Sequence, residues 1–150
     1  MEIKTEGHFS AGHIVDGQTK CNRLHGHNWK VSVVMNGDID PSTGMVEDFI
    51  TIKKIIDEWD HQMLLSNTQV IGETITSNDN GSYSIIAGGR NYTLPKDVCV
   101  ILKIPFVTAE NLAQLIAEKI YESSTKKFIQ RIKVTVMESD GSEAIATIFS

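Results

Sequence analysis

Two kinds of apolar spacing alternate along this chain. Ile3 to Ala11 reads as an extended segment, and Trp29 to Met35 (WKVSVVM) is rich in β-branched residues, so two strands are expected there. Asn36-Gly37 and Asp40-Pro41-Ser42-Thr43-Gly44 supply turn chemistry after the second. The period then changes: Phe49, Ile52, Ile55, Ile56 and Trp59 recur at helical spacing, with Asp48 placed to cap the first turn. Between Ser66 and Lys96, polar clusters, the Asn80-Gly81 pair and a Gly88-Gly89 break predict a β-hairpin insertion near residues 66–96. Val98 to Ile104 reads as a buried extended segment. Thr108 caps a second helix with the stripe Leu112, Leu115, Ile116 and Ile120. Ile132, Val134 and Val136 alternate with polar neighbours in a third main strand, and Asp140-Gly141-Ser142 turns the chain into a fourth, Ala144 to Phe149.

The order strand, strand, helix, insertion, helix, strand, strand predicts an α+β fold, an antiparallel sheet with helices on one face. The sheet's remaining face and edges need cover, and closing several such sheets into a barrel provides it, so a homo-oligomer is expected. At 150 residues the chain suits one domain, 1–150, with 41% apolar and 22% charged residues in the ordinary globular range. The longest apolar runs are far short of the roughly 20 residues of a membrane span, and the first residues lack a signal-peptide profile, so a cytoplasmic protein without membrane contact is expected. A net charge of −5 argues against a nucleic-acid surface. In such a compartment the two cysteines, Cys21 and Cys99, are more readily a reactive thiol and a buried one than a disulfide.

The chemistry-bearing residues begin with His25-Gly26-His27. Imidazoles two apart on a strand point to the same side and can grip one ion. His13 ends the preceding extended segment and reaches the same face if the two segments pair antiparallel through the Val15 to Asn22 loop. Three neutral imidazoles with an open fourth position suit catalytic Zn2+, though nitrogen ligands also accommodate iron, copper or nickel. The bland alternative is a chance H-x-H on a strand surface, and His8 reads as structural. Cys21 lies in a polar loop between Lys20 and Arg23, where neighbouring cations or a metal favour the thiolate, whereas Cys99 sits in an apolar run. Lys20 and Arg23 are either solvated or contacts for an anionic ligand. Asp60 can orient His61 as a general acid or base; alternatively His61 answers the helix dipole. Glu110 fits a helix first turn on structural grounds alone, and Glu138 at a strand end is either a surface charge or an acceptor for paired N–H donors.

Six pieces, in order across nearly the whole chain, resemble the 6-pyruvoyltetrahydropterin synthase and 6-carboxytetrahydropterin synthase family: Phe9-Ser10-Ala11-Gly12-His13, Cys21 to Asn28, Thr43 to Phe49, Asp60-His61, Thr108-Ala109-Glu110-Asn111 and Met137-Glu138. The resemblance implies the tunnelling fold, a four-stranded antiparallel sheet with two helices on one side, assembling as a hexamer or tetramer with active sites between subunits. By motif position it implies His13, His25 and His27 as zinc ligands, Cys21 as the catalytic thiol, Asp60 with His61 as a relay, and Thr108, Glu110 and Glu138 as substrate-binding residues, Glu138 anchoring the pterin ring. The three residues between Cys21 and His25 resemble 6-carboxytetrahydropterin synthases, implying conversion of 7,8-dihydroneopterin triphosphate with loss of acetaldehyde and triphosphate toward queuosine or a related deazapurine. Three departures stand out: a long gap from His61 to Thr108, Trp59 where leucine is common, and Pro105 displaced from its usual place before the threonine.

Overall fold

In a computed structural model, which describes residues 1–17, 19–67 and 74–150, the chain forms nine strands and two α-helices among the described residues. Gln18 in the first loop and residues 68–73 of the expected insertion lie outside them. Strands β1 (Glu2–His13) and β2 (His25–Gly37) form a long antiparallel pair, each running further toward the histidines than the apolar pattern alone predicts. Helix α1 (Phe49–Asp57) leads into β3 (Gln62–Ser66); β4 (Thr74–Ser77), β5 (Ser82–Ala87) and β6 (Arg90–Pro95) follow. The chain continues through β7 (Cys99–Leu102), helix α2 (Ala109–Ser123), β8 (Ile129–Ser139) and β9 (Ser142–Phe149).

The main sheet has the order β7-β3-β1-β2-β8-β9. The α+β class stands, but the sheet is six-stranded and mixed rather than four-stranded and antiparallel, because β3 joins β1 in parallel and β7 joins β3 in parallel. The parallel pairing of β1 with β3 requires a crossover connection, which contains the β2 hairpin and α1. β3 is too short, and too uniformly buried over Met63 to Ser66, to show a strand period in the sequence. The segment read as buried over Val98 to Ile104 is instead an edge: Leu102 and Ile104 are buried, whereas Val98 and Ile101 are about two-fifths exposed. The insertion is a three-stranded meander, β4-β5-β6, rather than a hairpin. Gly88 and Gly89, at φ +56° and +71°, form the two-residue left-handed turn that returns β6 along β5, so the glycine pair continues the sheet instead of ending it.

Both helices cover one face of the sheet, α1 against β1 and α2 against β8 and β9. Ile52 and Ile56 of α1 and Leu112, Ile116 and Ile120 of α2 meet the inward residues Phe9, Trp29, Val31, Val33, Met35, Ile132, Val134 and Val136 in one core. Asp48 Oδ1 accepts from the Ile50 amide at 2.8 Å, and Thr108 Oγ1 from the Asn111 amide at 3.4 Å, so both helices start where their caps predict. Phe9 and Trp29 stack with centroids 6.0 Å apart, and Trp59, one residue beyond the α1 C-cap, meets Phe9 edge-on at 5.7 Å. Trp29 links this core to the histidines: its indole N–H donates to the Ala11 carbonyl at 3.3 Å, and its ring meets His13 and His27 edge-on at 5.0 and 5.1 Å.

Trp29 is fully buried at that junction. Trp29→Ala is therefore expected to cost about 3–5 kcal/mol, measured by urea unfolding. A loss below about 1 kcal/mol would show that the aromatic layer is not what fixes the strand ends.

Candidate metal centre

The β1–β2 register places His13 opposite His25 and Ala11 opposite His27, and the alternation of the pleat turns all three imidazoles to the same side. Ring centroids are 4.5 Å apart for His13 and His25, and 5.0 Å for each of the other two pairs. With a carboxylate oxygen of Glu138, their donor atoms all lie within 4.8 Å of one another.

Backbone carbonyls fix which nitrogen is available. His13 Nδ1 lies 2.7 Å from the Val107 oxygen and His25 Nδ1 lies 2.7 Å from the Arg23 oxygen. A carbonyl only accepts, so each Nδ1 carries the proton and each Nε2 presents a lone pair. The Nε2 atoms of His13, His25 and His27 are buried and without a hydrogen bond. Three converging buried ring nitrogens without hydrogen bonds, at least two of them lone-pair donors, call for a cation, since buried polar atoms otherwise find partners. Glu138 Oε1 approaches His27 Nε2 to 2.8 Å and His13 Nε2 to 3.8 Å, without the alignment of a hydrogen bond to His27. Burial, ahead of the opposing Val107 contact, pushes His13 down to about 4 and also lowers His27, keeping both neutral at neutral pH. A set of three imidazoles and one carboxylate fits zinc.

Beside this cluster, Asp60 and His61 are fastened to β1. Asp60 Oδ1 accepts from the Ser10 amide at 2.8 Å and Oδ2 from His61 Nδ1 at 2.8 Å, while the His61 amide donates to the Ser10 carbonyl at 2.7 Å. The Ser10 contact first, then His61, lowers the Asp60 pKa. His61 sits at φ +59°, a left-handed conformation that non-glycine residues adopt at a cost of about 1–2 kcal/mol. The pair of bonds to Ser10 holds it there. Its ring is exposed and Nε2 faces outward from the Asp60 bond, available for proton transfer. His61 and His27 line one hollow of about 360 Å³ with Ser10 and Asn28 at its side and Gly12 opposite Gly26 as its floor. A Cβ at Gly26 would stand 3.1 Å from the Ala11 oxygen, so the glycine between the two histidines keeps that floor bare and the strands close.

The other expected site residues are placed less directly. Cys21 is half-buried on a single 3-10 turn, Lys20–Asn22, and is outside the four-residue donor group. Thr108 serves as the α2 cap, and Glu110 is exposed in the first turn of α2. Glu138, expected to hold the substrate ring, lies within the donor group itself. Sequence reasoning passed over that placement, and over the Val107 and Arg23 carbonyls, because strand β8 meets the histidines only across β2 and a carbonyl leaves no mark on residue type. Cys99 is half-buried rather than fully buried, and burial raises its thiol pKa.

One zinc per chain is expected by elemental analysis, and His25→Ala should weaken it by more than the roughly 10–100-fold that loss of an outer partner costs. Retention of full metal content by that variant would dismantle the three-imidazole site. Without metal, burial holds the folded His13 pKa at about 4, below the 6.5 of a free imidazole. Protonation then favours the unfolded chain, so the metal-free protein should be fully stable above about 6.5 and lose stability as the pH falls from there toward 4. Chemical denaturation at pH 7 and pH 5 reads this, and equal midpoints would contradict it.

The sequence model of the family described as 6-pyruvoyl tetrahydropterin synthase matches residues 2–148. A putative 6-carboxy-5,6,7,8-tetrahydropterin synthase of Pyrococcus horikoshii is 34% identical over 142 residues, covering 93% of this chain and 85% of that protein. The human 6-pyruvoyl tetrahydrobiopterin synthase is 37% identical over 68 residues, covering 41% of this chain and 47% of that protein. Among solved structures, a 6-pyruvoyltetrahydropterin synthase of Plasmodium vivax superposes with a TM-score of 0.81 at 23% identity, covering 100% of this chain and 98% of that one, a likeness of fold. A match along almost its whole length places this chain in the 6-pyruvoyl tetrahydropterin synthase family.

Proposed function

We propose that this protein is a zinc-dependent pterin side-chain lyase, converting 7,8-dihydroneopterin triphosphate to 6-carboxytetrahydropterin with release of acetaldehyde and triphosphate, in the cytoplasm, on the way to queuosine or a related deazapurine. The observation that carries the reading is the convergence of three orphaned imidazole nitrogens beside a carboxylate-held histidine. The full-length similarity to proteins named 6-carboxy-5,6,7,8-tetrahydropterin synthase supports the choice of product. No helix among the described residues is long and apolar enough to cross a membrane.

His13, His25 and His27 hold the metal, which when bound supplies a Lewis acid for substrate oxygens. His61, its Nδ1 proton committed to Asp60, takes or returns a proton at Nε2. The Cys21 thiol serves as the second proton-transfer group. Glu138 turns its carboxylate to the pterin N–H groups, or stays with the metal group it already adjoins. Glu110 and Thr108 border the substrate from the start of α2. The exposure of His61 and Glu110 suits a site completed by a neighbouring subunit, in a homo-oligomer.

A four-donor set of three histidines and Glu138 also favours a second reading, a closed metal shell that only supports folding. Zinc-loaded protein incubated with 7,8-dihydroneopterin triphosphate, with chromatography of the pterins and an acetaldehyde assay, separates the two. Acetaldehyde and a 6-carboxypterin, both absent with Cys21→Ala, are the expected outcome. A 6-pyruvoyl pterin would move the activity to that of the human relative's name, and no turnover together with unfolding on chelation would favour the structural metal.

A further inference from the structure

The meander between β3 and β7 touches the site at two places. Its buried residues Ile85 and Ala87 form a second apolar cluster with Ile14, Met63 and Leu65. Ile14 directly follows His13, and Met63 stands two residues beyond His61. Directly after Ala87, the Gly88–Gly89 turn lies against the 3-10 turn that carries Cys21. A Cβ on Gly88, already at φ +56°, would stand 2.1 Å from the backbone oxygen of Asn22. Arg90 Nη1 donates to the Gly88 carbonyl at 2.9 Å and to Asn22 Oδ1 at 3.4 Å, and Asn22 Nδ2 donates in turn to the Gly17 carbonyl at 2.9 Å.

We propose that the β5–β6 turn is a positioning device for Cys21, with Gly88 and Arg90 as the positioning residues acting through Asn22. The inference rests on the reading of Cys21 as a proton-transfer group. By itself the cysteine turn is weakly determined: three residues of 3-10 helix, a 3.3 Å bond from the Cys21 amide to Thr19 Oγ1, and a 3.0 Å bond from the Val15 amide to the Cys21 carbonyl. Such a short turn leaves the thiol free to wander, whereas proton transfer needs it placed to a fraction of an ångström. The meander supplies the missing constraint. Its tip approaches so closely that only hydrogen fits at the α-carbon of residue 88, and the neighbouring guanidinium ties the Asn22 side chain to the tip. The β5–β6 turn thereby reaches Cys21 through Asn22.

Two matched substitutions isolate this contact. Gly88→Asn and Gly89→Asn both place in the left-handed region a residue that tolerates it, but the Cβ at 89 meets nothing within 4 Å while that at 88 strikes Asn22. Arg90→Ala removes the side-chain tie to the same Asn22 without adding an atom, which covers failure of Gly88→Asn to fold. In zinc-loaded protein, the rate of Cys21 alkylation by iodoacetamide, followed by peptide mass mapping, reads thiol placement without any substrate, and pterin turnover gives kcat and KM.

The expected result is an altered alkylation rate and a kcat roughly 10–100-fold lower for Gly88→Asn and Arg90→Ala, with KM and zinc content kept, while Gly89→Asn follows the unaltered protein. Arg90→Lys, which keeps one donor, should recover part of the loss. Unaltered Cys21 alkylation in Arg90→Ala, or equal changes at positions 88 and 89, would overturn the proposal. Should the protein turn over no pterin, the alkylation comparison still decides whether the turn is held, so a failure of the functional reading is distinguishable from a failure of this one.

Discussion

The antiparallel register of β1 with β2 is the constraint on which the rest of the site depends. Because Glu2 pairs with Asn36 and the alignment runs without a slip to His13 and His25, the three imidazoles arrive on one side together with Phe9, Trp29, Val31 and Val33. A shift of one residue would turn every one of these side chains to the other face. The apolar stripe that drives the sheet against α1 and α2 therefore also determines where the three imidazoles point. Trp29 makes the link physical, since the ring that belongs to the core also supports His13 and His27.

Packing delivers the imidazoles, and hydrogen bonds then choose their chemistry. Val107, in the approach to α2, and Arg23, just before β2, each offer a carbonyl that holds a proton on Nδ1 and leaves Nε2 bare. The buried surroundings disfavour the imidazolium, so His13 remains a lone-pair donor at neutral pH. His61 is treated in the opposite way. Exposed, and held in a left-handed conformation by Ser10, it keeps one nitrogen on Asp60 and turns the other outward. Of the three clustered imidazoles, His27 lines the same hollow as the exposed His61.

The β4–β6 meander departs from the compact order of strands and helices that the sequence motifs alone imply. Its apolar side is built into the structure through Ile85 and Ala87, so it packs as part of the molecule rather than hanging from it. Its tip meets the cysteine turn at a distance that admits only glycine, and this juxtaposition gives the insertion a place in the site's architecture.

Much of this was written in the chain itself. An extended segment marked β1, β-branched residues marked β2, alternation marked β8 and a turn before Ala144 marked β9, while helical spacing marked α1 and α2 and Asp48 and Thr108 their starts, because those signals act between residues a few positions apart. The H-x-H spacing fixed that His25 and His27 share a face, for the same local reason. Tertiary structure alone decided the parallel additions of β3 and β7, since four- and five-residue strands carry too little pattern to announce a partner. It also brought Glu138 across the sheet to His27, set the His13 tautomer through the distant Val107 carbonyl, and laid Gly88 on Asn22. Each of these is a meeting of groups far apart in the chain, fixed by how the layers pack rather than by the preferences of the residues that meet.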